Sequence, residues 1–127
     1  MLIVETYLGQ SPIHGLGVFA KYDLPKGTVL SRFMPPMDSQ FHHQLMLSLT
    51  PVEQSYLKMY AYRSIFTKLW VLNGDNDRYM NHSTDPNTTM DPDGGSENIA
   101  LRDVEAGEEL TCDYSSFDME WREKLGL

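Results

Sequence analysis

Two polar stretches carry the residue types that chemistry needs. One is Arg78-Tyr79-Met80-Asn81-His82-Ser83-Thr84-Asp85-Pro86-Asn87, and the other is Gly107-Glu108-Glu109-Leu110-Thr111-Cys112-Asp113-Tyr114. Asn81 offers both a donor and an acceptor, which suits the amino-acid part of a ligand. His82 reads equally as a base, a ligand or a hydrogen-bonded core group. Ser83, His82 and one of several aspartates formally supply a hydrolase triad. A triad is a spatial arrangement, however, and no Gly-x-Ser-x-Gly elbow exists. Near the N-terminus, Gly15-Leu16-Gly17 permits close approach of backbone to a ligand or simply makes a turn. No third glycine and no Gly-Lys-Ser/Thr follows, so it is not a phosphate loop.

Metal chemistry has little to stand on. His14, His42, His43 and His82 show no helical i, i+4 pairing around an acid. Asp75-Asn76-Asp77 and Asp91-Pro92-Asp93-Gly94 are fragments of a calcium loop without its terminal glutamate, and turn chemistry explains them. The single cysteine, Cys112, excludes an intramolecular disulfide framework and a multi-cysteine zinc cluster. The expected metal content is none.

A chain of 127 residues, 41% hydrophobic and 22% charged, fits one globular domain. No apolar run of about 18 residues spans a membrane. Met1-Leu2-Ile3-Val4-Glu5 lacks the basic segment of a signal peptide, so an intracellular location is expected. The formal charge of −8 repels phosphate backbones and argues against direct nucleic-acid binding. It favours a cationic partner such as a lysine-rich peptide, with attraction that weakens in salt. A solvated acidic surface explains the same charge.

The elements that must position these residues are short. Leu2 to Leu8 reads as a strand ended by Gly9-Gln10-Ser11-Pro12, and Val18-Phe19-Ala20 as another. Leu24-Pro25-Lys26-Gly27 suits a type I turn before a strand at Val29–Phe33. Asp38 or Ser39 caps a helix running to about Leu49. Thr50-Pro51-Val52-Glu53 starts a second helix with a capping box and Pro at the first position. Ile65–Leu72 reads as a strand with Asn73-Gly74 as its turn. Further strands are expected near Thr88–Met90, Asn98–Leu101 and Glu109–Cys112. A C-terminal helix capped by Ser115 or Ser116 would carry Met119, Trp121 and Leu125. No internal repeat stands out.

Three ordered motifs converge on a family. They are Ile13-His14-Gly15-Leu16-Gly17-Val18-Phe19-Ala20, the Arg78–Asn87 stretch, and Ala100-Leu101-Arg102-Asp103-Val104-Glu105-Ala106 running into Gly107–Tyr114. Together they closely resemble the SET-domain protein lysine methyltransferases. The resemblance implies a mainly β fold with short helices, β-clip-like, of several small sheets with a C-terminal pseudoknot. It implies a single domain over 1–127, with a variable helical insert at about 36–64 and a closing segment at about 115–127. It also implies S-adenosylmethionine as cofactor, S-adenosylhomocysteine as product and a protein lysine as methyl acceptor.

By that similarity His14, Gly15, Leu16, Gly17, Tyr79 and Asn81 would line the cofactor, Asn81 on its methionine portion. The His82 backbone would hold the adenine edge. Trp121 is a candidate to stack on the adenine, with a core tryptophan as the alternative. Tyr114 would be the catalytic residue, its hydroxyl near the methyl and amine. Tyr60, Tyr62, Cys112 and Tyr114 would form the lysine channel, although core packing explains Tyr60 and Tyr62 as well. The amine must react neutral, and an apolar channel beside a sulfonium lowers its pKa.

Two departures stand out. The family often carries a cysteine-rich zinc segment after the last motif, and none follows Tyr114 here. The tail Phe117–Leu127 then closes the site alone or with a second subunit of a homodimer. The position two before Tyr114 is usually Phe or Tyr and is here Cys112, which leaves room for a second and third methyl. The competing class is a non-catalytic module that keeps the fold for binding.

Overall fold

A computed structural model describes all residues, 1–127. In chain order the elements are β1 (Thr6–Gln10), β2 (Leu16–Ala20), β3 (Val29–Ser31), β4 (Ser39–Phe41), α1 (His43–Ser48), α2 (Pro51–Tyr60), β5 (Tyr62–Arg63) and β6 (Trp70–Leu72). They continue with β7 (Asn81–His82), β8 (Thr88–Met90), β9 (Asn98–Ala100), β10 (Glu109–Cys112) and α3 (Trp121–Lys124). Short 3-10 turns occupy Asn76–Tyr79 and Tyr114–Ser116. The chain is mainly β, in three small sheets of order β1-β2-β10-β7, β3-β9-β8 and β4-β6-β5.

One pairing decides where the motifs meet. β10 is antiparallel to β2 but parallel to β7, with Thr111 opposite Asn81 and Cys112 opposite His82. A parallel neighbour cannot come from a hairpin, so chain from a distant part of the sequence has to be brought alongside. After β10 the chain crosses β5: Ile65 donates its N–H to the Phe117 carbonyl at 3.0 Å, and Met119 donates to the Arg63 carbonyl at 2.8 Å. Both polar stretches thus lie side by side.

The interior is small. Only 23 residues are buried, and the main apolar cluster gathers Val18, Ala20, Leu30, Met80, Ala100, Val104, Leu110, Cys112 and Phe117. Satisfied buried polar groups therefore share the work of fixing the fold. Asn87 extends the β10 edge, accepting the Thr111 N–H at 2.8 Å and donating Nδ2 to the Glu109 carbonyl at 2.8 Å. Asp118 is fully buried and accepts from Arg63 N–H (3.1 Å), Glu120 N–H (2.9 Å) and Lys124 Nζ (2.7 Å). It pins the tail to β5.

Two turns clasp each other. Leu24 and Val104 exchange both backbone hydrogen bonds at 2.8 Å. Lys26 N–H reaches the Asp103 carboxylate and Ala106 N–H reaches the Asp23 carboxylate, each at 2.8 Å. Gly27 N–H donates to the Ala100 carbonyl and Gly107 N–H to the Ala20 carbonyl. Ala20–Ser31 and Ala100–Thr111 are thus two copies of one pattern, Ala-x-x-Asp-(Leu/Val)-x-x-Gly-x-x-Leu-(Ser/Thr). This is a repeat that the sequence reading passed over, because few of its positions are identical. The first turn also corrects the type I expectation. Its hydrogen bond runs from Thr28 N–H to the Pro25 carbonyl, so Gly27 is the third residue, at φ 87°. That positive φ belongs to type II and calls for glycine.

Further elements differ from expectation, beginning with β1, which starts at Thr6 and runs through Gly9 and Gln10 instead of ending before them. Asp38 caps no helix; it is buried, accepts the N–H groups of Met34 and Gly74 at 2.9 Å, and precedes β4. Ile65–Leu72 shortens to β6, because Ser64 to Leu69 makes a tight turn with Lys68 at φ 64°. The C-terminal helix begins at Trp121 with no side-chain cap, while Asp113 rather than a serine caps the preceding 3-10 turn. The Thr50 capping box and α2 are as expected, and β8, β9 and β10 match within a residue.

Candidate active site

Asn81 organises the glycine loop. From β7 its Nδ2 shares its two hydrogens among three acceptors in range, the carbonyls of His14 (3.0 Å) and Leu16 (3.1 Å) and Glu109 Oε2 (2.9 Å). Glu109 also accepts the Ser11 hydroxyl at 2.8 Å, and Ser11 Oγ in turn accepts the Ile13 N–H at 2.9 Å. A single carboxylate therefore ties together β10, β7 and the loop 11–15. The sequence reading missed Glu109 and Ser11; the signal was an acid heading a strand whose next three residues are buried. Asn81 Oδ1 accepts none of the protein's hydrogen bonds and remains for a ligand.

The two glycines have different tasks. Gly15 sits at φ 46° with open space where a Cβ would stand, so backbone conformation demands it and a ligand can lie against it. A Cβ on Gly17 would collide with the Glu109 carboxylate. Gly17 thus makes room for the hydrogen-bond hub and does not line the cleft.

His82 and Tyr114 are joined through the parallel pairing. His82 Nδ1 accepts the Tyr114 backbone N–H at 3.1 Å, and the two rings lie 5.2 Å apart. That bond uses the Nδ1 lone pair, so His82 positions Tyr114 and is not available there as a base. The Tyr114 hydroxyl donates to the Met80 carbonyl at 2.5 Å. Burial pushes the phenol well above its ordinary range, so it stays neutral, a donor with free lone pairs.

Two hollows meet at this tyrosine. A cleft of about 640 Å³ is lined by His14, Gly15, Leu16, Tyr79, Asn81 and His82 on one side, and by Lys58, Glu120, Glu123, Lys124 and Leu125 on the other. A narrower cavity of about 70 Å³ is lined by Tyr62, Asp77, Met80, Met90, Asn98, Cys112 and Phe117, among others. Tyr60, Met80 and Tyr114 border both. Tyr62 packs edge-on against Phe117 at 4.9 Å, and Tyr114 does so at 6.0 Å. Burial drives the Tyr62 hydroxyl and the Cys112 thiol upward in pKa, so both stay neutral. Trp121 stands apart: its ring lies under the Arg122 guanidinium at 4.6 Å, and it does not line the cleft. Its neighbours Glu120 and Glu123–Leu125 line the cleft instead. No three His, Cys, Asp or Glu side chains are grouped to hold a metal ion.

One partly buried acid is unusually poised. The Asp77 carboxyl is pushed up to about 6, mainly by burial, with Asp75 and Asp38 adding and the Met1 ammonium and Ser31 hydroxyl opposing. A free aspartate titrates near pH 4. Between those values the folded chain holds the proton that the unfolded chain has lost. The stabilisation is complete below the window and is lost as pH rises through it. Asp77→Asn should therefore be more stable than the parent at pH 7, by about 2 kcal/mol, and nearly equal to it at pH 4. Urea unfolding at both pH values checks this; an offset that does not change with pH refutes it.

The comparisons agree with this architecture. Residues 15–115 match the family described as SET domain. Histone-lysine N-methyltransferase 2D of Homo sapiens is 30% identical over 121 residues, covering 91% of this chain and 2% of that protein. The mouse protein of the same name gives the same figures. The chain thus spans about one fiftieth of the length of these relatives. Among solved structures, Chaetomium thermophilum Polycomb Repressive Complex 2 bound to GSK126 is similar with a TM-score of 0.71 and 23% identity, covering 97% of this chain and 17% of that one. A structure described as ctPRC2 in an autoinhibited conformation bound to S-adenosylmethionine gives 0.69 and 22%, covering 97% and 16%. The chain belongs to the SET-domain family, whose relatives include histone-lysine methyltransferases. No helix is long and apolar enough to cross a membrane.

Proposed function

We propose that the chain is an S-adenosylmethionine-dependent protein lysine N-methyltransferase. The observation that carries this reading is the meeting of a wide polar cleft and a narrow aromatic cavity at the Tyr114 hydroxyl. The cleft fits the cofactor: its volume lies in the range of small-molecule sites, Gly15 leaves open space, and Asn81 Oδ1 is free. His14, Gly15, Leu16, Tyr79, Asn81 and His82 would hold it, with Glu120 and Glu123 from the tail. S-adenosylmethionine, when bound, supplies an electrophilic methyl on a sulfonium, and leaves as S-adenosylhomocysteine.

The chain's own part is positioning and desolvation. Tyr60, Tyr62 and Phe117 offer aromatic faces to an alkyl stem with a cationic head. Their aromatic faces and an adjacent sulfonium would disfavour the ammonium form, with the Asp77 carboxyl in the same wall acting the other way. Tyr114, its proton engaged by Met80, turns lone pairs toward the junction. Cys112 leaves space beside it, so Cys112→Tyr should shift product toward monomethyllysine. A mass spectrum showing only monomethyl product from both forms counts against that role. The surface charge of −8 suits a basic peptide as acceptor. The whole of 1–127 acts as one domain in this reading, with the tail closing the cleft.

Incubation with labelled S-adenosylmethionine and a whole-cell extract tests the proposal. Label on protein lysines supports it. Cofactor binding without any labelled protein favours the non-catalytic module.

A further inference from the structure

One lysine of the tail belongs to both hollows. Lys124 borders the cleft and the narrow cavity, and its side chain is only 12% exposed. Its Nζ donates to the Ala61 carbonyl at 2.6 Å and to Asp118 Oδ2 at 2.7 Å. The same nitrogen lies 5.3 Å from the centre of the Tyr114 ring. The other Asp118 oxygen accepts the Arg63 N–H at 3.1 Å. Ala61 and Arg63 flank Tyr62 in sequence. The ion pair therefore clamps the backbone on both sides of one cavity wall, Tyr62, and lies against the ring of another, Tyr114.

A pin at this place does not require charge, because buried ion pairs add little to stability that a neutral replacement cannot. The charge matters for what lies beside it. Asp118 is fully buried, and a carboxylate there without its partner favours the charged form of any nearby amine. Both members of the pair reach the cavity wall. Burial does most to raise the Cys112 thiol; the charges of Asp77, Asp113 and Asp118 add to that rise, and Lys124 opposes it. The remaining charges are largely matched. Arg63 pairs with Glu120 at 3.6 Å, Lys58 pairs with Glu123 at 3.2 Å, and Asp113 lies 3.8 Å from His82. Arg78 is held by the Asn73 carbonyl, and Tyr62 and Tyr114 stay neutral.

We propose that Lys124 is a positioning residue for methyl transfer: it cancels the buried Asp118 charge beside Tyr114, so that the acceptor amine is not held there as an ammonium. The inference rests on the methyltransferase reading and deepens it. The amine attacks with its lone pair, so it must first give one proton to water. An N–C bond then forms as the S–C bond breaks, and the electron pair of that bond stays on sulfur. An uncancelled carboxylate beside the junction would hold back the first proton. Lys124 removes that obstacle without touching the amine.

The two partners predict shifts of opposite sign, which a loosened tail cannot produce. N-methyl-n-butylamine, labelled in its methyl carbon, is bound in the presence of saturating S-adenosylhomocysteine, and its protonation is followed with pH by NMR. Lys124→Met leaves Asp118 uncancelled and should raise the pKa of the bound amine by about one unit, tenfold in its protonation equilibrium. Asp118→Asn leaves the ammonium uncancelled and should lower it by a similar amount. The double variant should return it close to the parent value. Shifts in the same direction, no shift, or no binding of the amine to the parent overturns the inference. If Lys124→Met does not fold, Asp118→Asn and the double variant still decide it. Methyl transfer into whole-cell extract is scored separately against pH. Opposite shifts of the bound amine without any transfer would discard the enzyme reading and leave the charge balance assigned. Transfer whose pH profile moves the same way in both single variants would discard this inference alone.

Discussion

Tyr114→Phe should bind S-adenosylhomocysteine as the parent does, while methyl transfer falls about 100-fold or more. The substitution removes one oxygen and keeps the ring, so the contacts with Phe117 and His82 persist. The backbone bond from Tyr114 N–H to His82 Nδ1 is also untouched. What disappears is the only hydroxyl bordering both hollows with its proton already engaged, by Met80. In the proposed reaction its lone pairs would face the place where methyl and amine meet, and a fixed acceptor there would need no reorganisation. The affinity is read by calorimetry and the rate by label transfer. Turnover equal to the parent's would remove Tyr114 from the mechanism; loss of affinity would reassign it to binding.

Asn81→Ala should do the reverse damage. Truncation strands the carbonyls of His14 and Leu16 and leaves the Glu109 carboxylate with only Ser11 as a side-chain donor. Stranded partly buried groups, one of them charged, cost about 2–3 kcal/mol of stability. The loop at Gly15 loses its anchor to β7, and cofactor affinity should fall about 10- to 100-fold. Thermal unfolding and calorimetry check both. Unchanged affinity in a folded variant would show that the loop is held by Glu109 and Ser11 alone. Glu109→Gln provides the matching control, because it keeps the shape of the hub and removes its charge.

How much of this was legible in the sequence depends on where each residue finds its partner. The capping box at Thr50 and Glu53 is local, and it folds as read. The strand Glu109–Cys112 alternates with turns on both sides and was equally visible. The motif order brought Gly15, Asn81 and Tyr114 together before any geometry was known. Asp38 was misread because its partners, Met34, Gly74 and the Met1 ammonium, come from three parts of the chain. Lys68 at φ 64° hid inside a run of β-formers, since nothing in its side chain announces that conformation. Trp121 fell outside the cleft because the tail is pinned by Asp118, whose burial no pattern in the tail reveals. Glu109 was quoted as part of a motif, yet its task became clear only once β7 lay parallel to β10.

The reciprocal turns carry a consequence for how the chain reaches this state. Each turn's aspartate bond closes over a long stretch of sequence, 77 residues for Asp103 and 83 for Asp23. Neither turn is complete until the other arrives, so the loop-closure entropy must be spent before either bond repays it. Helix α2, with its local cap, can form early, but it cannot nucleate the sheets. Folding should therefore be slow for a chain of this size, in the millisecond-to-second regime of non-local topologies. The half of the chain emerging first from the ribosome must wait for its mate.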